Sequence, residues 1–506
     1  MNPTRSWTLG ATATCTHIVV AFVHGGPVAV PDVSAYLSVA QWPYGGVLPP
    51  ELAFHPGYGA LLIPFGWLDG EALHTAALVF NAVLAGVCVW LAGSLARALS
   101  APPWVCVGVC VATALHPSLS VSSRIGWPET LLTAVVLAAG LLAARERWTA
   151  FGAICGVAIA IHPRMIVATI AAIVVAVALR KILRVMKGLI PGVLSSAVLL
   201  QITGSWPSAR VEAAINNENV TAPLGTIAGQ FLAVSGGTAG LAALGLIVGV
   251  ALIGNSSANP AAVFFGISAV GVLLMGGLAL AGSDRVDTLL YSRYIGPWAI
   301  PLVVVAVATA STRMISRRSI YLSLSLICLA AISVLASAHL VAGTPRTIMT
   351  LDMSALWSLA DGRLVVTALA AAVISSLSLM TVRKNLIVAP ILLVSLAVPS
   401  LLIAHQNLHR VGQIADGQAA TSELVPDYVG CLAHDVSTKS YAVWLYRLEL
   451  PDIDHRRVDI TSGEQPCGPY VVAERSAFAD CNGAQLVGVE PRASWGLWEY
   501  PPQGCD

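Results

Sequence analysis

Long apolar runs separated by short polar breaks fill the chain as far as about residue 404, and there the pattern changes. The runs lie near 9–30, 72–96, 103–121, 128–144, 148–162, 165–180, 188–203, 231–254, 261–281, 295–311, 320–342, 364–381 and 386–404. A straight membrane crossing takes about 20 apolar residues, and several of these runs are shorter. Beyond them, apolar and polar residues alternate in pieces such as Tyr441-Ala442-Val443-Trp444-Leu445-Tyr446 and Tyr470-Val471-Val472. The pattern predicts an all-α polytopic membrane domain over 1–404, with about 13 transmembrane helices. A small α+β or β-rich domain should follow over 405–506.

Composition agrees. The 506 residues are 56% hydrophobic and only 10% charged, where a soluble chain carries about 25% charged residues. A net charge of +1 gives no reason to expect a nucleic-acid partner. The surroundings are membrane lipids. No small-residue cleavage site follows the first run, which reads as a retained signal anchor.

Basic residues orient the spans. One set of alternating loops holds Arg5, Arg97, Arg145, Arg147, Arg180, Lys181, Arg184, Lys187, Arg313, Arg317, Arg318, Arg383 and Lys384. The other holds Arg124, Arg164, Arg210, Arg285, Arg293, Arg346 and Arg363, and no lysine. The first set should be cytoplasmic. The N-terminus is then inside, the loop after the first span is outside, and so is the C-terminal domain. The expected place is the plasma (inner) membrane. Nearly all acids before residue 404 fall on the outer side, Glu146 being the exception, which marks that face as the working one.

Six cysteines sit in apolar runs and read as small apolar residues. Cys431, Cys467, Cys481 and Cys505 all lie in the acidic tail. In an exported segment they suggest two disulfides, with three pairings open.

Candidate chemistry begins with Asp32, in the polar stretch Pro31-Asp32-Val33-Ser34-Ala35-Tyr36-Leu37 just after the first span. A carboxylate so near a bilayer is costly unless it is solvated or has a task. Its bland alternative is capping of a short interfacial helix. Residues 31–71 carry many prolines and glycines, which break long helices and leave short ones in the interface. The dipeptides His55-Pro56, His116-Pro117 and His162-Pro163 all fall on the outer face. The last two suit helix C-termini, where a histidine meets partial negative charge.

An ordered set of pieces resembles the GT-C superfamily of membrane glycosyltransferases. Asp-Val-Ser-Ala-Tyr-Leu at 32–37 follows the first span. His55-Pro56-Gly57-Tyr58-Gly59 ends the first loop. Trp127-Pro128-Glu129-Thr130 opens the fourth span, His162-Pro163-Arg164 joins two spans, and Arg293-Tyr294-Ile295-Gly296-Pro297 opens a later one. The resemblance covers most of residues 1–310. It implies a hexosyl- or pentosyltransferase that takes a sugar from a polyprenyl-phosphate donor to a cell-envelope glycan or glycolipid outside the membrane.

By this resemblance Asp32 is the general base that deprotonates the attacking hydroxyl. Arg293, Arg164 and Arg124 would hold the leaving phosphate, which suits the planar guanidinium. For Arg293 and Arg164 the alternative is pairing with headgroups or with Asp284 and Asp287. Tyr36, His55, His162 and Tyr294 flank these positions and would line the site. Many members carry two adjacent acids in the first loop and this chain has one. Glu51 or Glu129 would be the second, and a divalent cation (Mg, Mn or Ca) stays open as cofactor. Glu129 also suits the positive end of its own helix. The competing classes are a secondary transporter, which needs a polar path and related halves, an O-antigen-ligase-like polymerase, which would place its large loop late in the chain, and a non-catalytic envelope scaffold.

Overall fold

The structure is a computed structural model. It describes residues 3–23, 27–28, 31–48, 55–204, 221–253, 255, 259–280, 285–312, 315–342, 350–415, 417–439 and 441–501. Glu51 and Cys505 lie outside the described residues, as does the side chain of Asp32.

The apolar runs fold as helices packed into one polytopic bundle. Among the described residues six helices are long and apolar enough to cross a membrane: Gly70–Ala98, Ile182–Thr203, Pro260–Leu280, Arg317–Leu340, Leu364–Lys384 and Val388–Leu424, the last running on through a 3-10 turn. Five shorter apolar helices accompany them: Pro103–Ala114, Glu129–Ala144, Trp148–Ala160, Met165–Ala178 and Gly296–Thr312. One expected span departs from its prediction. The run 231–254 belongs to two helices, Pro223–Gly237 and Leu241–Ala251, bent by 117°. The break falls at Thr238-Ala239-Gly240, where Ala239 and Gly240 have φ of 52° and 79°. A left-handed pair ends a helix. The Ala242 amide then donates to Thr238 Oγ1 at 3.1 Å and starts the next helix.

Close helix contact sets the position of one key segment. Helix Trp148–Val157 lies against helix Ile182–Thr203 through two small-residue stripes, Gly152 with Gly156 and Gly188 with Gly192. A Cβ on Gly188 would stand 1.9 Å from the Thr149 carbonyl oxygen. Such stripes let membrane helices approach closely. Ser196 finishes the contact: its hydroxyl donates to the Gly156 carbonyl at 2.8 Å and accepts from the Ala160 amide at 3.2 Å. The chain therefore reaches His162 and Arg164 on a fixed path.

The first loop forms short helices, as its prolines and glycines foretold: Pro31–Gln41, a 3-10 turn at Trp42–Tyr44, Gly57–Leu62 and a 3-10 turn at Ile63–Phe65. Trp42, Tyr44, Leu61, Phe65 and Trp67 are exposed, which suits the headgroup layer. Asp32 is the second residue of the first helix, inside its first turn rather than before it.

The C-terminal domain is α+β. Its strands are β1 (Cys431–Asp435), β2 (Asp454–Val458), β3 (Tyr470–Glu474), β4 (Gln485–Val489) and β5 (Trp495–Glu499), in spatial order β2-β1-β3-β5-β4. β1 pairs in parallel with β2 and β3, while β5 pairs antiparallel with β3 and β4. Both faces of the sheet are covered. Leu432, Val472, Trp495 and Leu497 build one core, and Ala433, Val471, Ala473 and Trp498 the other. Trp495 and Trp498 are core residues. Cys431 and Cys467 form a disulfide. Helix Val388–Ala415 continues eleven residues past 404 towards this domain. Helix Ala442–Glu449 seats Leu448 in the membrane-domain core, and the Val47 amide donates to the Pro451 carbonyl at 2.9 Å. The end of the bundle that carries the first loop is thus capped by this domain.

A buried histidine pair gives the cap a pH dependence. His455 Nε2 donates to the Leu450 carbonyl at 2.9 Å, so its Nδ1 accepts from His434 Nε2 at 3.0 Å. Burial lowers both pKa values, His434 well below the usual range and His455 to about 4. An unfolded chain takes up protons below pH 6.5 that the folded imidazoles refuse. Stability should therefore fall as pH drops from 6.5 towards 4, by on the order of 2 kcal/mol at pH 5 for His455 alone. Hydrogen exchange in the full protein checks this. After correction for intrinsic rates, protection in β1 and β2 should drop between pH 7 and 5, and unchanged protection contradicts it.

Candidate active site at the capped end

Three sequence-distant residues meet where helices begin at the capped end. Glu129 opens helix Glu129–Ala144, Arg164 precedes helix Met165–Ala178, and Arg293 lies just before helix Gly296–Thr312. Glu129 Oε1 accepts from Arg293 Nε at 2.6 Å and from Arg164 at 3.1 Å. All three side chains are buried. Glu129 is thus more than a complement to its own helix terminus: it anchors two guanidiniums across three helices.

Each arginine is held from several sides. Arg164 donates to the Arg293 and Tyr294 carbonyls at 3.0 and 2.9 Å and to His162 Nδ1 at 3.1 Å. Its guanidinium lies 4.9 Å from the centre of the Tyr294 ring. The arginine amide also donates to His162 Nδ1, so the proton of that imidazole sits on Nε2. The Arg293 guanidinium stacks 4.1 Å over Trp127. Planar stacking combined with forked hydrogen bonds is what arginine offers and lysine does not. Trp127 is fixed in turn, its carbonyl accepting from Asn81 Nδ2 at 3.0 Å.

The other predicted residues fall around this group. His55 stacks on His162 with ring centroids 6.4 Å apart, and its Nδ1 donates to the Ile159 carbonyl at 2.6 Å. Tyr36 packs edge-on against Tyr58, which is fully buried. Arg124 is buried in the turn before Trp127, near His74. A Cβ on Gly126 in that turn would lie 3.7 Å from Val33. The first-loop helix that carries Asp32 therefore adjoins the turn carrying Arg124 and Trp127. Asp287 pairs with Arg285. Among the described residues no three His, Cys, Asp or Glu side chains cluster so as to hold a metal ion.

Sequence reasoning missed Asp352. Its side chain has no solvent exposure. It accepts from the Ser118 hydroxyl and lies 3.6 Å from His116 Nδ1. The signal available was an acid between Leu351 and Met353 in an otherwise apolar neighbourhood.

The fold is a polytopic helical domain with a small sheet domain on one end. No family model matches the chain, and no curated protein matches it by sequence. Two solved structures share its fold, both of ArnT from Cupriavidus metallidurans. One is bound to undecaprenyl phosphate, with TM-score 0.53, 15% identity, and coverage of 96% of this chain and 97% of that one. The other is the apo state, with TM-score 0.51 and the same identity and coverage.

Proposed function

We propose that this protein is a GT-C type membrane glycosyltransferase. It takes a sugar, hexose or pentose, from a polyprenyl-phosphate donor to a glycan or glycolipid of the cell envelope. The observation that carries the reading is the convergence of Arg164 and Arg293 on Glu129 at the capped end. The fold is shared with a protein solved with undecaprenyl phosphate bound. The capped end faces outward and the N-terminus lies in the cytoplasm, as the Lys and Arg distribution supports.

In the proposed reaction an acceptor hydroxyl oxygen attacks the anomeric carbon, and the bond from that carbon to the phosphate oxygen breaks. The phosphate leaves with the electron pair, Asp32 takes the hydroxyl proton, and the anomeric centre inverts. Negative charge grows on the phosphate, whose oxygens compete with Glu129 for the donors of Arg293 and Arg164 and are stabilised by them. His162 and Tyr294 keep Arg164 oriented meanwhile.

The helix broken at 238–240 is a feature that transporters share. Its polar neighbour Asp352, however, belongs to the same end as the arginines, through Ser292 and Gly296. A path to the other face is not what these residues build.

Lipid binding tests the proposal. Purified protein should bind undecaprenyl phosphate in preference to undecaprenol, by about tenfold or more, the worth of a charge-assisted hydrogen bond or two. Arg293→Gln should remove most of that preference. Equal binding of the two lipids by the parent would overturn the reading.

A further inference from the structure

The segment that presents Arg293 lies against Asp352, which bonds it through its main-chain amide and packs its carboxylate beside Gly296. Asp352 stands on the 3-10 turn Leu351–Met353. Its Oδ1 accepts from Ser118 on helix Pro117–Ser122 and faces His116 Nδ1 at 3.6 Å. Its own amide donates to Ser292 Oγ at 3.4 Å, one residue before Arg293. Gly296 closes the other end of the segment. A Cβ there would stand 3.1 Å from Ser118 Oγ and 3.9 Å from Asp352 Oδ2. The carboxylate thus lies at the first turn of helix Gly296–Thr312, where the helix dipole favours negative charge. From behind, Gly237 leaves it room: a Cβ on Gly237 would come within 2.6 Å of the Asp352 Cβ and 2.5 Å of its carbonyl oxygen.

These contacts bracket residues 292–296. The same five residues supply the Arg293 side chain and the carbonyls of Arg293 and Tyr294 that hold Arg164. Shifting the segment would move both guanidiniums together. A buried carboxylate costs stability unless it is paired and hydrogen-bonded. Here one oxygen, Oδ2, has no hydrogen-bond partner among the described residues, and neither ring nitrogen of His116 has one. An apolar residue would fill this place without that penalty. The polar group is costly for packing, and it adjoins the 292–296 segment that carries Arg293.

We propose that Asp352, with Ser118 and His116, is a positioning group that aims Arg293 and Arg164 at the lipid phosphate. The proposal rests on the glycosyltransferase reading for its ligand, and its geometric part stands apart from that reading. Asp352 touches no reacting atom. It acts through the 292–296 backbone.

Two measurements on the full-length protein test it. In the first, the preference for undecaprenyl phosphate over undecaprenol is measured for the parent, Asp352→Ala, Arg293→Gln and the double variant. Asp352→Ala should lower the preference about tenfold. In the Arg293→Gln background the same substitution should change it less than twofold, because the two act through one group. An unchanged preference in Asp352→Ala, or the same tenfold loss with and without Arg293, overturns the proposal.

The second measurement serves if Asp352→Ala does not fold. Ser118→Ala removes one hydroxyl and leaves the carboxylate, and hydrogen exchange is followed in peptides spanning 286–296. Faster exchange there, with helix Gly70–Ala98 unchanged, supports the clamp. Exchange equal to the parent overturns it. If the parent itself binds both lipids equally, the glycosyltransferase reading fails, and the exchange result alone decides whether Asp352 positions the segment.

Discussion

Replacing Glu129 with leucine should destabilise the membrane domain by about 3–5 kcal/mol, the usual cost of removing one partner from a buried ion pair. The physical reason is that Arg164 and Arg293 both direct donors at Glu129 Oε1, with hardly any solvent at any of the three side chains. Leucine leaves two guanidiniums facing each other in a low-dielectric setting, where like charges repel far more than in water. Glu129→Gln keeps an acceptor oxygen and loses the charge, so it should fall between leucine and the parent. Thermal unfolding in detergent, followed by tryptophan fluorescence, reads the order parent, glutamine, leucine. A triple variant separates stability from function. Glu129→Leu combined with Arg164→Met and Arg293→Met replaces the whole network with apolar side chains, which is often close to neutral for stability. It should regain much of the lost stability and still fail to prefer a phosphorylated lipid. A leucine variant that melts with the parent would show that the three charges do not form the network described here.

Much of this architecture is legible in the sequence because bilayers impose a simple rule: apolar runs become helices, since no water is present to satisfy a bare backbone. The α+β cap was legible in part, through the short apolar run Tyr470-Val471-Val472 of β3 and the tail cysteines, while the run from Tyr441 to Tyr446, read the same way, folds into helix Ala442–Glu449. The broken helix was not. Its hydropathy is continuous across 231–254, and its signal is the local run Gly236-Gly237-Thr238-Ala239-Gly240. In the site, Arg164, Arg293, His162, Tyr294 and Glu129 were all nominated and do come together. Their mutual arrangement was not readable. Glu129 stands 35 residues from Arg164 and 164 from Arg293, and no periodicity connects such distances. A carboxylate read as a possible second acid or as a complement to its own helix terminus is the anchor of both arginines. Asp287, a plausible partner by sequence, is taken by Arg285 two residues away. Asp352 escaped notice for a similar reason: its partners Ser118 and Ser292 come from a short helix and a loop distant in sequence.

Asp32→Asn should cost about 100- to 10,000-fold in transfer rate, the range expected when a positioned general base is removed. Asparagine keeps the size and an acceptor oxygen and cannot take a proton. The position of the helix that carries Asp32 supports the assignment. Its next residue, Val33, is buried and adjoins the turn of Gly126, between Arg124 and the Trp127 ring that backs Arg293. Folding should be little affected, because Asp32 lies in the first turn of a short helix, where a neutral residue costs only about 0.3–1 kcal/mol of dipole stabilisation. Binding of undecaprenyl phosphate should persist in Asp32→Asn, since the phosphate is assigned to the arginines. Loss of turnover with retained lipid binding would mark a base, and loss of both would mark a structural residue.

The most direct measurement is sugar transfer from radiolabelled polyprenyl-phosphate hexose and pentose donors, with purified parent, Asp32→Asn and Asp32→Ala in lipid nanodiscs supplied with cell-envelope acceptors. Label should appear in a glycan or glycolipid product with the parent, and at least a hundredfold less of it with both variants. Equal transfer by all three would contradict it.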